Sequence, residues 1–258
     1  MVPAGDPHLV RLAGVSLRYG RRVILDDVTL SFSPGEVVGL FGPGGSGKTQ
    51  LLKLMATLRH PHRGVVELFG QRIARLDRRG LAAARSHIGL QFQNFALFDF
   101  LNVRENVGFS LDHGRKMSSE AISQRVAEVL AKVGLDGTQG MEVEALSGGM
   151  RRRVAIARVM AARPAIAFFD DPVAGLDPVN SAKIMRMLSA YAQEAHSLVV
   201  IATHDLQRLF PVVTRLVGLF DGQVLYDGPQ EAVYDSPRPY IRDFVFAATE
   251  PQREVQKS

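Results

Sequence analysis

The chain contains no cysteine. A disulfide framework and thiolate metal sites are therefore excluded, and a reducing compartment suits it. Long hydrophobic runs are missing too. The longest apolar stretches, such as Ala165 to Phe169 and Leu198 to Ala202, fall far short of the roughly 20 residues that cross a bilayer as a helix. Met1 to Leu9 does not have the basic-then-apolar order of a signal peptide. The expectation is a soluble protein whose membrane role, if it has one, comes through a partner. Excess charge is scarce: 31 Lys+Arg against 26 Asp+Glu leave a net +5, too little to tell a nucleic-acid or membrane partner from an ordinary solvated surface. What is present is 258 residues, 46% hydrophobic and 22% charged, enough for one large domain with a substantial core.

Short β-branched segments at Val10 to Leu17 and Val23 to Phe32 flank a turn at Tyr19-Gly20-Arg21-Arg22 and predict a hairpin. Val37 to Phe41 is a continuous apolar run, the pattern of a strand buried on both faces. A glycine-rich loop follows it, and Thr49 to Leu58 has helical spacing. A second strand pair is expected at Gly64 to Phe69 and Ile73. Ser118 to Val133 is amphipathic at a helical period, with Ile122, Val126, Val129 and Val133 on one face. Arg151 to Ala162 reads as helix as well. Strand signals return at Ala165 to Phe169, Leu198 to Thr203 and Leu216 to Leu219, alternating with a helix over Ser181 to Ala195. This order predicts an α/β fold around a mainly parallel sheet. A mostly helical insertion is expected over about 95–162, with one domain over 1–236 and a polar tail over 237–258.

Gly42-Pro43-Gly44-Gly45-Ser46-Gly47-Lys48-Thr49 matches G-x-x-x-x-G-K-S/T in full, after an apolar strand and at the opening of a helix. Gly42, Gly44, Gly45 and Gly47 let successive backbone N–H groups curl around a phosphate without a Cβ clash, with Ser46 inside the same turn. The helix N-terminus adds positive potential, Lys48 neutralises the β- and γ-phosphates, and the Thr49 hydroxyl holds Mg²⁺. The second half of such a site is an acid at a strand end. Asp170, closing Ala165-Ile166-Ala167-Phe168-Phe169-Asp170, supplies it and would hold Mg²⁺ through water. ATP and Mg²⁺ are the cofactors these motifs imply.

Leu146-Ser147-Gly148-Gly149-Met150, shortly before the Asp170 strand, resembles the LSGGQ signature of ABC ATPases. The resemblance runs from about Val10 to Gly228. It implies a P-loop ABC ATPase fold with an N-terminal antiparallel β-subdomain and a helical signature subdomain. It also implies a homodimer in which Ser147, Gly148 and Gly149 face the γ-phosphate bound by the other subunit. Tyr19 matches the aromatic that stacks on adenine. Gln93 matches the glutamine that links Mg²⁺ and attacking water to the membrane partner. Asp177, in Ala174-Gly175-Leu176-Asp177, matches the loop that crosses the dimer interface. His204 matches the histidine that touches the γ-phosphate. One position departs: the family carries glutamate, the general base or water-positioning group, where this chain has Asp171. Aspartate is one methylene shorter, and a general base contributes roughly 10²–10⁴-fold. A slow ATPase is expected, with an ATP-gated clamp that does not turn over as the alternative.

Gln93-Asn94-Phe95-Ala96-Leu97-Phe98-Asp99, Val103-Arg104-Glu105-Asn106-Val107 and Met150-Arg151-Arg152-Arg153-Val154 resemble more narrowly the ATPase of Mla/Mce-type lipid transporters. That likeness implies lipid cargo, two permease subunits, a lipid-binding substrate protein, a STAS-domain regulator and a place on the cytoplasmic face of the inner membrane. The Phe92, Phe95, Phe98 and Phe100 cluster falls where the family's permease docks. An amino-acid or ion importer ATPase is the other cargo reading. No nucleic-acid partner is expected, since the spacing between Lys48 and Ser147 leaves no room for the long insertions of DNA-repair relatives.

Overall fold

The computed structural model describes residues 8–114 and 117–249. Its centre is a six-stranded sheet. β3 (Val37–Phe41), β7 (Ile166–Asp170) and β8 (Leu198–Ala202) have every residue buried, as continuous apolar runs demand when helices cover both faces of a sheet. With β6 (Ile88–Gln91), β9 (Arg215–Phe220) and β10 (Gln223–Pro229) they take the order β10-β9-β3-β8-β7-β6, parallel except for the β9–β10 pair. β6 has no counterpart among the expected strands: four residues including Gly89 carry too short a pattern to stand out.

A second, antiparallel sheet holds β1 (Val10–Tyr19), β2 (Arg22–Phe32), β4 (Arg63–Leu68) and β5 (Gln71–Arg72) in the order β2-β1-β4-β5. The expected hairpin is β1–β2, joined through Tyr19↔Arg22. Inward residues of both sheets, among them Leu12, Leu25, Val38, Leu40, Phe168 and Val200, enclose α1 (Lys48–Met55), which buries Leu51, Leu52, Leu54 and Met55. That sandwich fixes the start of α1 and the loop before it.

The helical insertion begins later than the expected Phe95. α2 (Arg78–Arg85) precedes β6, and after it Phe95 and Ala96 take left-handed φ values of 65° and 48°, which cannot propagate a right-handed helix. Helix resumes at α3 (Val103–Gly114), followed by α4 (Ser119–Lys132) and α5 (Gly148–Ala161). Ser118 caps α4 by accepting from the Ala121 N–H at 3.2 Å, and Ile122, Val126, Val129 and Val133 are buried together as the periodicity predicts. α6 (Pro178–Ala195) and α7 (Leu206–Leu209) lie between the later strands.

The tail expected to be polar is different over its first half. Pro239–Thr249 form α8, which buries Ile241 and Val245 and sets the Phe244 ring 6.2 Å from Phe41 and 5.4 Å from Phe220. Spacings of three and four residues put these groups on one face, so average polarity hid an amphipathic helix. Residues 250–258 of that expectation lie outside the described residues. Among the described residues, no helix is long and apolar enough to cross a membrane.

One half-buried cation ties the two sheets. Arg215 on β9 makes a two-pronged pair with Asp227 on β10 at 2.7 and 2.8 Å, donates to the Ser31 carbonyl on β2 at 2.8 Å and approaches Glu36 at 3.4 Å. Asp227 and Glu36 hold its pKa above the usual arginine value. Arg215→Met keeps the stem but leaves Asp227 and Glu36 without the guanidinium that both approach. It is expected to lower unfolding free energy by about 2 kcal/mol, read from the midpoint of a urea titration.

Candidate functional site

The loop between β3 and α1 is shaped by close approach. Gly42 sits at φ 140°, and a Cβ there would stand 2.0 Å from the Leu219 carbonyl oxygen. Gly47 sits at φ 106° with a Cβ position 2.9 Å from the Ile24 carbonyl. Gly44 and Gly45, between them, have nothing within 4 Å of a built Cβ. The loop is thus tight at its base and open at its crown. An open crown of backbone N–H groups at a helix start is a fit for phosphate oxygens, and side chains at Gly44 and Gly45 would fill it.

Lys48 closes the loop. Its Nζ donates to the carbonyls of Gly42 and Pro43, each at 2.8 Å, and reaches the Ser46 hydroxyl at 3.4 Å. Burial pulls its pKa below the usual lysine value, while Asp170 and Asp171 work against that pull. The next residue, Thr49, donates its hydroxyl to Asp170 Oδ1 at 3.2 Å across 121 positions of chain. Burial at the end of β7 raises the Asp170 carboxyl above its usual range, and the Thr49 hydrogen bond opposes this. Thr49, Lys53, Gln93, Asn94 and Asp170 line a cavity of about 330 Å³. Thr49 hydroxyl, Gln93 amide and Asp170 carboxylate form an all-oxygen donor set of the kind Mg²⁺ takes alongside substrate phosphates. Among the described residues there is no group of three His, Cys, Asp or Glu that would cage a metal by itself.

Tyr19 stands at the far side of the loop. Its hydroxyl donates to Gln50 Oε1 at 2.8 Å, and with Ile24, Gly45, Gly47, Lys48 and Thr49 it borders a cavity of about 240 Å³. The ring is partly exposed and carries the Arg59 guanidinium 5.6 Å from its centroid.

Asp171 follows Asp170 in a left-handed conformation, φ 50°, which turns its side chain back over the strand ends. Oδ1 accepts from the Thr203 hydroxyl at 3.1 Å, and Oδ2 lies 3.4 Å from His204 Nδ1. Asp171 and His204, each expected at the site for its own role, are therefore brought together. Thr203 carries little signal in the sequence beyond an apolar strand that ends in Thr-His, and it is absent from the expected site. Ser147 caps α5 by accepting from the Met150 N–H at 3.2 Å, and Asp177 caps α6 through the Asn180 N–H at 2.9 Å. Asn180 holds the Asp177 carboxyl below its usual range. A Cβ on Gly149 would stand 3.1 Å from Leu176, so the signature and the Asp177 turn abut. Among the described residues, Ser147, Gly148, Gly149 and Asp177 line neither cavity beside the phosphate loop.

Two arginines of α5 hold the segment that carries Gln93. Arg158 donates to the Ala96 carbonyl at 2.8 Å and the Phe95 carbonyl at 3.1 Å, and burial lowers its pKa. Arg152 lies over the Phe95 ring at 5.1 Å. Of the expected aromatic cluster, Phe92 and Phe98 line an apolar groove of about 430 Å³ with Ile88, Leu90 and Phe109, whereas Phe95 sits under Arg152 and Phe100 is 79% exposed.

Residues 25–174 match the ABC transporter family. The chain belongs to the ABC transporter family. It carries that family's ATPase domain, with the phosphate loop, the Asp170 strand and the signature helix in one fold. This ABC chain is 35% identical to a sulfate/thiosulfate import ATP-binding protein of Bacillus cereus over 92% of its own length and 66% of that relative. It therefore spans just under two thirds of that protein. It is 40% identical to a phosphonates import ATP-binding protein of Alcaligenes faecalis, over 81% and 78% of the two chains. A chloroplast protein of Arabidopsis thaliana named for trigalactosyldiacylglycerol is 35% identical over 92% and 73%. An ATP-binding cassette solved as a dimer in a post-hydrolysis state, with ADP and Pi bound, superposes with TM-score 0.80 at 33% identity, covering 86% of this chain and 98% of that one. The narrower likeness to Mla/Mce-type lipid transporters is not supported by these matches, because the relatives' names divide among different cargoes at similar identity.

Proposed function

We propose that this chain is the ATP-hydrolysing subunit of a membrane importer. It acts as a homodimer that clamps two Mg-ATP and drives permease subunits from the cytoplasmic face of the membrane. The observation that carries this reading is the convergence of Lys48, Thr49, Asp170, Asp171 and His204 at one end of the parallel sheet. In the proposed roles, the loop amides and Lys48 hold the β- and γ-phosphates. Thr49, Asp170 and Gln93 would hold Mg²⁺, which supplies charge neutralisation on the phosphates when bound. Asp171 orients the attacking water and His204 senses the γ-phosphate. Tyr19 meets the base, and Ser147, Gly148, Gly149 and Asp177 serve the partner's nucleotide. Their place outside the cavities beside their own loop supports that last role. The apolar groove at Phe92 and Phe98 is the surface we assign to the permease.

For the cargo, the sulfate and phosphonate importers among the relatives favour a small oxyanion. A lipid is the second reading, favoured by the Gln93 to Asp99 wording and by the Arabidopsis relative. With a lipid, a lipid-binding substrate protein and a STAS-domain regulator join the assembly. The test of the core reading is light scattering of Asp171→Asn with and without Mg-ATP, beside ATP turnover of the parent chain. A dimer that appears only with Mg-ATP, and turnover above a Lys48→Ala blank, are expected. A monomer under both conditions would refute the clamp.

A further inference from the structure

We propose that Arg59 is a positioning residue for the nucleotide base: it covers one face of the Tyr19 ring, fixes the tilt of that ring, and leaves the other face for the base. The inference rests on the ATPase reading above, in which Tyr19 meets the base, and concerns a residue which that reading does not use. The guanidinium carbon of Arg59 stands over the ring, 5.6 Å from its centroid. Arg59 does not line the cavity of about 240 Å³ that Tyr19 borders with Gly45, Gly47, Lys48 and Thr49. A ring has two faces, so a cation on one leaves the other for a planar group. Tyr19 is 43% exposed, and that second face can be reached from outside.

Arg59 is delivered to the ring by the chain on either side of it. Just past α1, Thr57 takes a left-handed φ of 60°, and Arg85 holds it by donating to its hydroxyl at 2.8 Å and to its carbonyl at 2.7 Å. The Leu58 N–H closes the turn on the Lys53 carbonyl at 2.8 Å. Three residues beyond Arg59, His62 is stitched to β1. Its N–H donates to the Ser16 carbonyl at 2.8 Å, and its Nδ1 accepts from the Arg18 N–H at 3.2 Å. Residues 58–61 therefore bridge the end of α1 and the strand that leads into Tyr19. The ring is also held at its edge, because the Tyr19 hydroxyl donates to Gln50 Oε1 at 2.8 Å and Gln50 lies on α1 beside Thr49. A ring held at edge and face has less rotamer freedom left to lose when a base stacks on it. The benefit falls on the base and spares the triphosphate, which the loop amides and Lys48 hold.

Calorimetric titration of the whole chain with ATP and with inorganic tripolyphosphate, each with Mg²⁺, tests this. Arg59→Met keeps the stem and removes the charge. It should weaken ATP binding about fivefold, the factor that ordering one side chain on binding costs. Tripolyphosphate, which has no base, should bind Arg59→Met as tightly as it binds the parent. Arg59→Lys, which keeps a cation over the ring, should recover part of the loss. In a Tyr19→Ala background, Arg59→Met should change nothing further. Parental ATP affinity in Arg59→Met, an equal loss for ATP and tripolyphosphate, or the same loss with and without Tyr19 would overturn the proposal. So would a parent chain that binds ATP no tighter than tripolyphosphate. If the parent turns over ATP no faster than Lys48→Ala while the coupling of Arg59 to Tyr19 persists in ATP binding, the positioning role stands and the ATPase reading fails.

Discussion

Lys48→Ala is expected to reduce ATP turnover by about 10²–10³-fold or more, with little change in the melting midpoint. The fold tolerates the change because position 48 opens α1, where alanine is the most favourable helix former, and no acidic side chain depends on Lys48 for an ion pair among the described residues. The chemistry does not tolerate it. The ammonium is held by the Gly42 and Pro43 carbonyls, in the same loop as the open crown at Gly44 and Gly45. Burial disfavours the cation there, and the charges of Asp170 and Asp171 work to keep it. Charge that is already desolvated and aimed stabilises a developing phosphoryl negative charge more strongly than water can, and does so without reorganising. Binding of ATP should weaken as well, since ground-state phosphates use the same group. Turnover at saturating and at limiting ATP, compared with a denaturation curve, separates the two effects. A variant within about threefold of the parent, against the loss expected for an aimed charge, would remove Lys48 from the site.

Much of this site was legible because the signals that make it are local. The phosphate loop is eight consecutive residues whose φ requirements are met by glycines, and the strand and helix on either side announce themselves by period. Asp170 and Asp171 end an apolar run, and His204 ends another, so their convergence follows once those runs are paired in a parallel sheet. What escaped was non-local or diluted. Arg158 meets Ala96 across 62 positions and Thr203 meets Asp171 across 32, and neither pair has a sequence signature. β6 was hidden by its length, and α8 by the charged and polar residues that share its outer face with Tyr240. The left-handed turn at Phe95 and Ala96 puts the first helix of the insertion later than its expected start, and propensities do not contain that turn. Cargo was not legible: the Gln93 to Asp99 wording points to lipid, while relatives at similar identity are named for sulfate/thiosulfate, phosphonates and trigalactosyldiacylglycerol.

Asp171→Asn is expected to slow hydrolysis by about 10²–10⁴-fold and Asp171→Glu to speed it by about tenfold, both at saturating Mg-ATP. The asparagine keeps size and shape, and its amide can still meet Thr203 and His204, so the loss isolates the negative charge that orients water. The glutamate argument turns on reach. Asp171 leaves the backbone at φ 50° and both of its oxygens are engaged on the β8 side, Oδ1 by the Thr203 hydroxyl and Oδ2 by His204. A carboxylate so engaged is not among the groups that line the cavity beside Asp170, and a displacement of about 1 Å can cost up to about 10² in rate. One more methylene carries the carboxylate forward while His204, whose side chain is largely exposed, is free to follow it. Steady-state phosphate release from the three proteins decides the matter. A glutamate variant no faster than the parent would mean that Thr203 and His204 already hold the shorter side chain at the working distance, and that turnover in this chain is limited elsewhere than at Asp171.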